Sequence, residues 1–154
     1  MHKYFLAESA KDYAATPSLF KEYAAVLNIN LDFQHFDEEL KNLKKMYALP
    51  HGGIVLAGNE AKMAGCVGIK NITQSICVPK RMYVLPSFQS QGLGKELSCQ
   101  AILPAKRCNC EMIRLDTLNH MLPAIHLYKK MGFYELAPYY YNPISAAMYF
   151  EKKI

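Results

Sequence analysis

Nowhere in the 154 residues do about 18 apolar residues follow one another, the length that a membrane-crossing helix needs. The opening segment, MHKYFLAESAKDY, also lacks the apolar run of a secretory signal, so a cytoplasmic protein without a membrane partner is expected. Repeats, low-complexity tracts and linkers are absent, and the length suits one domain over residues 1–154. Cysteine is scattered, at Cys66, Cys77, Cys99, Cys108 and Cys110, which suits reduced thiols better than a disulfide framework. Cys108 and Cys110 have the wrong spacing for a zinc knuckle and no matching pair occurs elsewhere, so no metal is expected. A strong charge of either sign is missing too: the net charge is +5, and Lys41, Lys44 and Lys45 alternate with apolar residues as the wet side of a helix would. A nucleic-acid groove is therefore not expected, while a polyanionic small molecule remains allowed.

What is present is a composition half hydrophobic and one-fifth charged, that of a globular protein with a real core. KYFLAESA reads as an opening strand; Thr16-Pro17 then suggests the start of a helix carrying Leu19, Phe20, Tyr23, Ala24 and Leu27 on one face. A second amphipathic helix is expected from about Asp37, with Phe36, Leu40, Leu43 and Tyr47 sharing a face, ended by Pro50-His51-Gly52-Gly53. GIVLAG and MAGCVGIKNI read as a hairpin turning near Asn59, and QSICVPKRMYVLP as a third antiparallel strand. A helix is expected over 92–106, kinked or shortened by Pro104. EMIRLDTL reads as a strand, MLPAIHLYKKMG as a helix, and FYELAP and AAMYFEKKI as closing strands. The order predicts an α/β fold: a mixed, largely antiparallel sheet of about seven strands with about four helices on both faces.

Between the third antiparallel strand and the helix after it lies QSQGLG, residues 89–94. A P-loop would need glycine where Gln89 stands and Ser or Thr where Glu96 stands; a dinucleotide fingerprint would need glycine at Leu97. What remains is Gln-x-x-Gly-x-Gly at a strand-to-helix junction. Gly92 and Gly94 would let successive amide N–H groups point outward at the positive end of the helix, a setting that suits a pyrophosphate. A tight turn without a ligand reads equally well from these six residues.

Three blocks in this order resemble the GNAT superfamily of N-acetyltransferases: KRMYVLPSFQSQGLGKEL (80–97), IRLDTL, and AIHLYKKMGF (124–133), the last similar to the family's Ala-x-x-Leu-Tyr-x-x-x-Gly-Phe helix end. The resemblance covers almost the whole chain and implies a sheet splayed between the fourth and fifth strands, with acetyl-coenzyme A as acyl donor. It further implies that amides of Gln91, Gly92, Leu93, Gly94 and Lys95 meet the pyrophosphate and that Gln89 and Ser90 shape the turn. Backbone groups of Met82, Tyr83 and Val84 would pair with pantetheine as an added strand. Tyr128 falls on the position that in many members protonates the departing thiolate. Where many relatives carry a cofactor-holding asparagine this chain has Met121; Asn119, nearby, would either substitute for it or cap the helix.

Transfer to an amine needs the free base, which at pH 7 and an ordinary amine pKa near 10.4 costs roughly 4–5 kcal/mol. Asp116, Glu38 and His35 are candidates for assisting it. Tyr128 suits the acid role, although it also lies on a helical stripe with Ala124, Leu127 and Met131. Tyr139, Tyr140 and Tyr141, before Asn142-Pro143, either pack the sheet or line a substrate pocket. His120 and His126 are poor metal ligands. The expectation is direct transfer from acetyl-coenzyme A to an amine, of a small molecule or alternatively of a peptide or protein; a non-catalytic acyl-coenzyme A binder is the rival. Many members of the family that the chain resembles pair through their terminal strands, so the resemblance allows a homodimer.

Overall fold

The computed structural model describes residues 2–27, 35–59 and 61–154. β1 (Lys3–Leu6) leads into α1 (Ala10–Leu27), followed by α2 (Phe36–Lys41) and α3 (Leu43–Tyr47). Three strands follow, β2 (Gly52–Gly58), β3 (Met63–Asn71) and β4 (Ile76–Val84), and then a short 3-10 turn, Pro86–Phe88. α4 (Leu93–Gln100), α5 (Ile102–Arg107), β5 (Met112–Leu118), α6 (Leu122–Lys130), β6 (Tyr134–Leu136) and β7 (Ala147–Lys153) complete the order. The strands form one seven-stranded sheet in the order β1-β2-β3-β4-β5-β7-β6. Every neighbouring pair is antiparallel except β4 and β5. This is the mixed, largely antiparallel sheet expected.

Alternation along the strands assigns each residue to a face. Val55, Ala57, Val67 and Ile69 pack with Leu93, Leu97 and Ala105 of α4 and α5, whereas Ile54, Leu56 and Cys66 pack with Phe20 of α1 and Leu43 and Tyr47 of α3. With helices on both sides the central strands are apolar on both faces, so β2 is buried along its whole length. Among the described residues no helix is long and apolar enough to cross a membrane.

The first helix starts earlier than the sequence suggested. Ser9 Oγ accepts from the Asp12 N–H at 3.1 Å while Asp12 Oδ2 accepts from the Ser9 N–H at 2.9 Å, a reciprocal cap that opens α1 at Ala10 rather than at Thr16. Pro17 is thereby carried inside the helix. The second helical region breaks at Asn42 into α2 and α3, and the third at Ala101 into α4 and α5, which leaves Pro104 in the first turn of α5, where its missing N–H is tolerated.

The expectation of five reduced thiols is also corrected. Cys77 and Cys110 form a disulfide with Cα atoms 5.9 Å apart, and Cys66, Cys99 and Cys108 are free. The cause is tertiary: β4 and β5 pair at Cys77 and Ile113, which brings the residue entering β5 onto Cys77 across 33 positions of sequence.

Candidate functional site

β4 and β5 run parallel and stay registered only at Ile76–Met112 and Cys77–Ile113. From Val78 onward they part, and β4 keeps a partner on one side alone, β3. The parting has a local cause in β4. Cys66 faces Tyr83 and Gly68 faces Lys80, so two residues, Arg81 and Met82, stand opposite the single residue Val67. Arg81 takes φ +59°, the left-handed region, and its carbonyl accepts from the Cys66 thiol at 3.3 Å. Such a bulge bends a strand and increases its twist. Among the described residues the β5-facing edge of Met82, Tyr83 and Val84 has no strand partner; the Val84 carbonyl accepts from Gln89, and the other main-chain groups of that edge are available to an extended ligand.

The gap opens into a cavity of about 630 Å³ that passes from one face of the sheet to the other. On the α4–α6 side it is lined by Met82, Ser98, Ala124 and Tyr128; on the α1 side by Tyr23, Lys80, Asp116, Tyr139 and Tyr140.

Between β4 and α4, the strand-to-helix junction is held by its glutamines. Gln89 Nε2 donates to the Val84 carbonyl at 3.0 Å and Gln91 Nε2 to the Ser87 carbonyl at 3.4 Å, while Ser90 and Gly92 adopt φ +61° and +84°. The first main-chain bond closing the helix runs from Glu96 N–H to Gly92 O at 3.1 Å. Among the described residues no protein group accepts from the N–H groups of Gln91, Gly92, Leu93, Gly94 or Lys95. A Cβ placed on Gly92 or Gly94 would meet nothing within 4 Å. Five donors without a protein acceptor, with open space beside Gly92 and Gly94 at the positive end of an eight-residue helix, suit an anion with several oxygens.

Tyr128 resolves a choice that periodicity left open, because it belongs both to the core and to the cavity. Its ring packs 5.8 Å from Phe133 and 6.5 Å from Phe150, and it also lines the cavity. Burial pushes its phenol well above the ordinary value, with the charges of Tyr23 and Asp116 adding to the shift. The hydroxyl is therefore protonated at neutral pH and can donate.

Asp116 is the one of the three candidate bases that the fold brings to the cavity. It is ringed by protein yet reached by solvent through the opening, and burial raises its carboxyl above the usual range. Glu38 and His35 are exposed on and before α2, outside the cavity lining. Asn119 is exposed and uses its N–H on the Ala146 carbonyl at 2.8 Å; α6 begins after Met121 with no side-chain cap, so the capping role expected of Asn119 is not observed. Met121, not Asn119, lines the cavity. His120 and His126 are exposed.

The three tyrosines do both things considered for them. Tyr139 and Tyr140 stack against Tyr149 at 5.3 and 5.7 Å, and Tyr139, Tyr140 and Tyr141 line the cavity. Sequence reasoning missed the ion pair behind the bulge. Glu39, in α2, holds Arg81 at 2.9 Å with both side chains 3% exposed, and the Arg81 guanidinium lies 5.2 Å from the Phe36 ring centre. The signal available was Glu39 itself, a carboxylate on the helix face that also carries Phe36 and Leu43.

The sequence model of the acetyltransferase (GNAT) family matches residues 18–133. An uncharacterized N-acetyltransferase of Schizosaccharomyces pombe is 37% identical over 133 residues, covering 85% of this chain and 82% of its own. Among solved structures, an acetyltransferase of the GNAT family from Staphylococcus aureus superposes with a TM-score of 0.79 at 19% identity, covering 99% of each chain. A Bacillus subtilis acetyltransferase solved in complex with CoA superposes with a TM-score of 0.69 at 21% identity, covering 100% of this chain and 99% of its own. The two structural likenesses share the fold described above; the sequence match over most of the chain carries the assignment further, and the chain belongs to the GNAT family of acetyltransferases.

Proposed function

We propose that residues 1–154 work as one domain that binds acetyl-coenzyme A and transfers its acetyl group directly to the amine of a small molecule. The observation that carries this reading is the conjunction of three features: free amides at the start of α4, an unpaired edge of β4, and a cavity, lined by Met82 of β4 and Ser98 of α4, that crosses the sheet. The cofactor supplies an acetyl group on a thiol leaving group. Amides of Gln91 to Lys95 hold its pyrophosphate, with Gln89 and Ser90 shaping the turn, and the open edge of Met82, Tyr83 and Val84 takes its pantetheine as a strand would.

On this reading the chain's own groups do three things. A main-chain N–H beside the bulge polarises the carbonyl at the gap. Tyr128 donates its phenolic proton to the sulfur that leaves. The tyrosine-rich side receives the amine, as amphipathic rings with polar tips suit a small organic acceptor.

Calorimetric titration with coenzyme A, followed by thiol release from acetyl-coenzyme A across a panel of small amines and peptides, tests the proposal. Saturable binding with thiol release dependent on a small amine is expected. Binding without amine-dependent release would make the protein a sensor or scaffold, and release with peptides alone would move the acceptor to a protein amine.

A further inference from the structure

We propose that Asp116 is the proton acceptor for the incoming amine and that Tyr140 is the residue that positions its carboxylate. This rests on the acetyltransferase reading above and names a chemical role within its acceptor side. Asp116 pairs with Tyr149 across β5 and β7, and its flanking residues Leu115 and Thr117 are buried on the opposite face, so period-two alternation turns the carboxylate toward the tyrosines. Tyr140 Oη donates to Asp116 Oδ2 at 3.0 Å. Asn142 Nδ2 donates to that same Tyr140 oxygen at 3.1 Å, and Asn142 Oδ1 accepts from the Ile144 N–H at 2.9 Å. One carboxylate oxygen is thus fixed from the β6–β7 connection, and the backbone N–H of Asp116 itself adds a hydrogen bond to the carboxylate.

The remaining acids are engaged or elsewhere. Glu39 is committed to Arg81, Glu151 to Arg114 and Tyr134, and Glu22 accepts from the Tyr83 hydroxyl at 3.3 Å. Among the described residues, Asp116 is the carboxylate that lines the cavity. The groups facing it are Lys80 and Arg81 from β4, Tyr23 from α1, Tyr128 from α6, and Tyr139 and Tyr140. Burial raises its carboxyl and so strengthens it as a base, whereas the Tyr140 hydrogen bond and the two cations pull the other way.

The step balances within the chain. The amine nitrogen forms the new C–N bond and gives its proton to Asp116; the C–S bond breaks, and the sulfur takes the proton of Tyr128. Asp116 then returns its proton to Tyr128 through the cavity that both line. The chain is restored, and amide and free thiol leave.

Two measurements on the full chain test the proposal. In a carboxyl ¹³C titration of the ligand-free protein, Asp116 is expected to titrate above the ordinary carboxylate range, and Tyr140→Phe to move its midpoint higher still, because the lost hydrogen bond favoured the charged form. The acid limb of kcat/KM should move in the same direction in Tyr140→Phe, with its plateau kept. Asp116→Asn should lower kcat by about 100-fold and abolish that limb, with coenzyme A affinity within twofold of wild type. Asp116→Asn turning over within threefold of wild type, or Tyr140→Phe leaving midpoint and limb in place, overturns the proposal and leaves the acetyltransferase reading standing. If the wild type binds coenzyme A but releases no thiol with any amine, that reading is overturned and the proposal falls with it.

Discussion

Replacing Gly92 by valine probes the amide cradle at its most constrained point. Gly92 sits at φ +84°, ψ 2°, a conformation in which a residue with a side chain is strained by about 1–2 kcal/mol. For a chain of this size that corresponds to a fall in melting temperature of roughly 2–8 °C, a weakened but folded protein. Binding is affected by a different route. The space in front of Gly92 holds no protein atom within 4 Å of where a Cβ would stand, so the valine branches from open space into which a ligand would come. A hydrogen bond to a charged oxygen contributes about 1.5–3 kcal/mol, and losing two of them gives about 3–6 kcal/mol, roughly 10²–10⁴-fold in Kd. Calorimetry with coenzyme A, run beside thermal melts of the same samples, separates the two effects. Gly94→Ala is the counterpart: Gly94 lies in α4 with equally open surroundings, so alanine should stabilise the helix by about 0.5–1 kcal/mol and still weaken binding. A folded Gly92→Val protein that binds coenzyme A within threefold of wild type would refute the placement of the pyrophosphate at this junction.

Tyr128→Phe keeps the ring packed on Phe133 and Phe150 but removes the proton donor, so kcat should fall roughly 100-fold with coenzyme A affinity nearly unchanged; unaltered turnover removes it from the acid role. Glu39→Ala leaves the Arg81 cation buried without its carboxylate, and urea unfolding should show a loss of about 3–5 kcal/mol; a loss under 1 kcal/mol would mean that the pair contributes little, against the usual cost of about 3–5 kcal/mol for breaking a buried pair. Glu151 accepts from the Tyr134 hydroxyl and pairs with Arg114, which together hold its carboxyl below the usual range. The stability this supplies is present above the unfolded value of about 4.3 and is lost as pH falls through the lower folded value. The melting temperature of Glu151→Gln should therefore drop less than wild type between about pH 5 and pH 3, and parallel curves would refute the linkage.

Local chemistry carried a large part of this protein. Alternation in GIVLAG and MAGCVGIKNI, the helical stripes, and the glycines of QSQGLG depend on residues within one or two turns of each other; the strands and the junction formed as read, and the stripes placed the helices, two of which break into shorter ones. The three blocks around residues 80–97, 113–118 and 124–133 pointed to the family that the sequence match supports. Local signals also competed, and there the reading slipped: Thr16-Pro17 looked like a helix start, but the reciprocal cap of Ser9 and Asp12 satisfies two orphan amides one helical stretch earlier and wins.

Only the tertiary structure decided which polar groups meet. Glu39 reaches Arg81 across 42 positions, Tyr140 reaches Asp116 across 24, and Cys77 reaches Cys110 across 33, distances over which no periodicity carries information. The same holds for the opening of the sheet. Arg81 at positive φ is invisible in the residues KRMYV, because the bulge is set by the mismatch of register between β3 and β4, and it accompanies the parting of β4 from β5. Composition and spacing therefore determined the elements and the glycine junction, while strand register determined that a cavity would open where β4 parts from β5, with Asp116 on one side of the sheet and Tyr128 on the other.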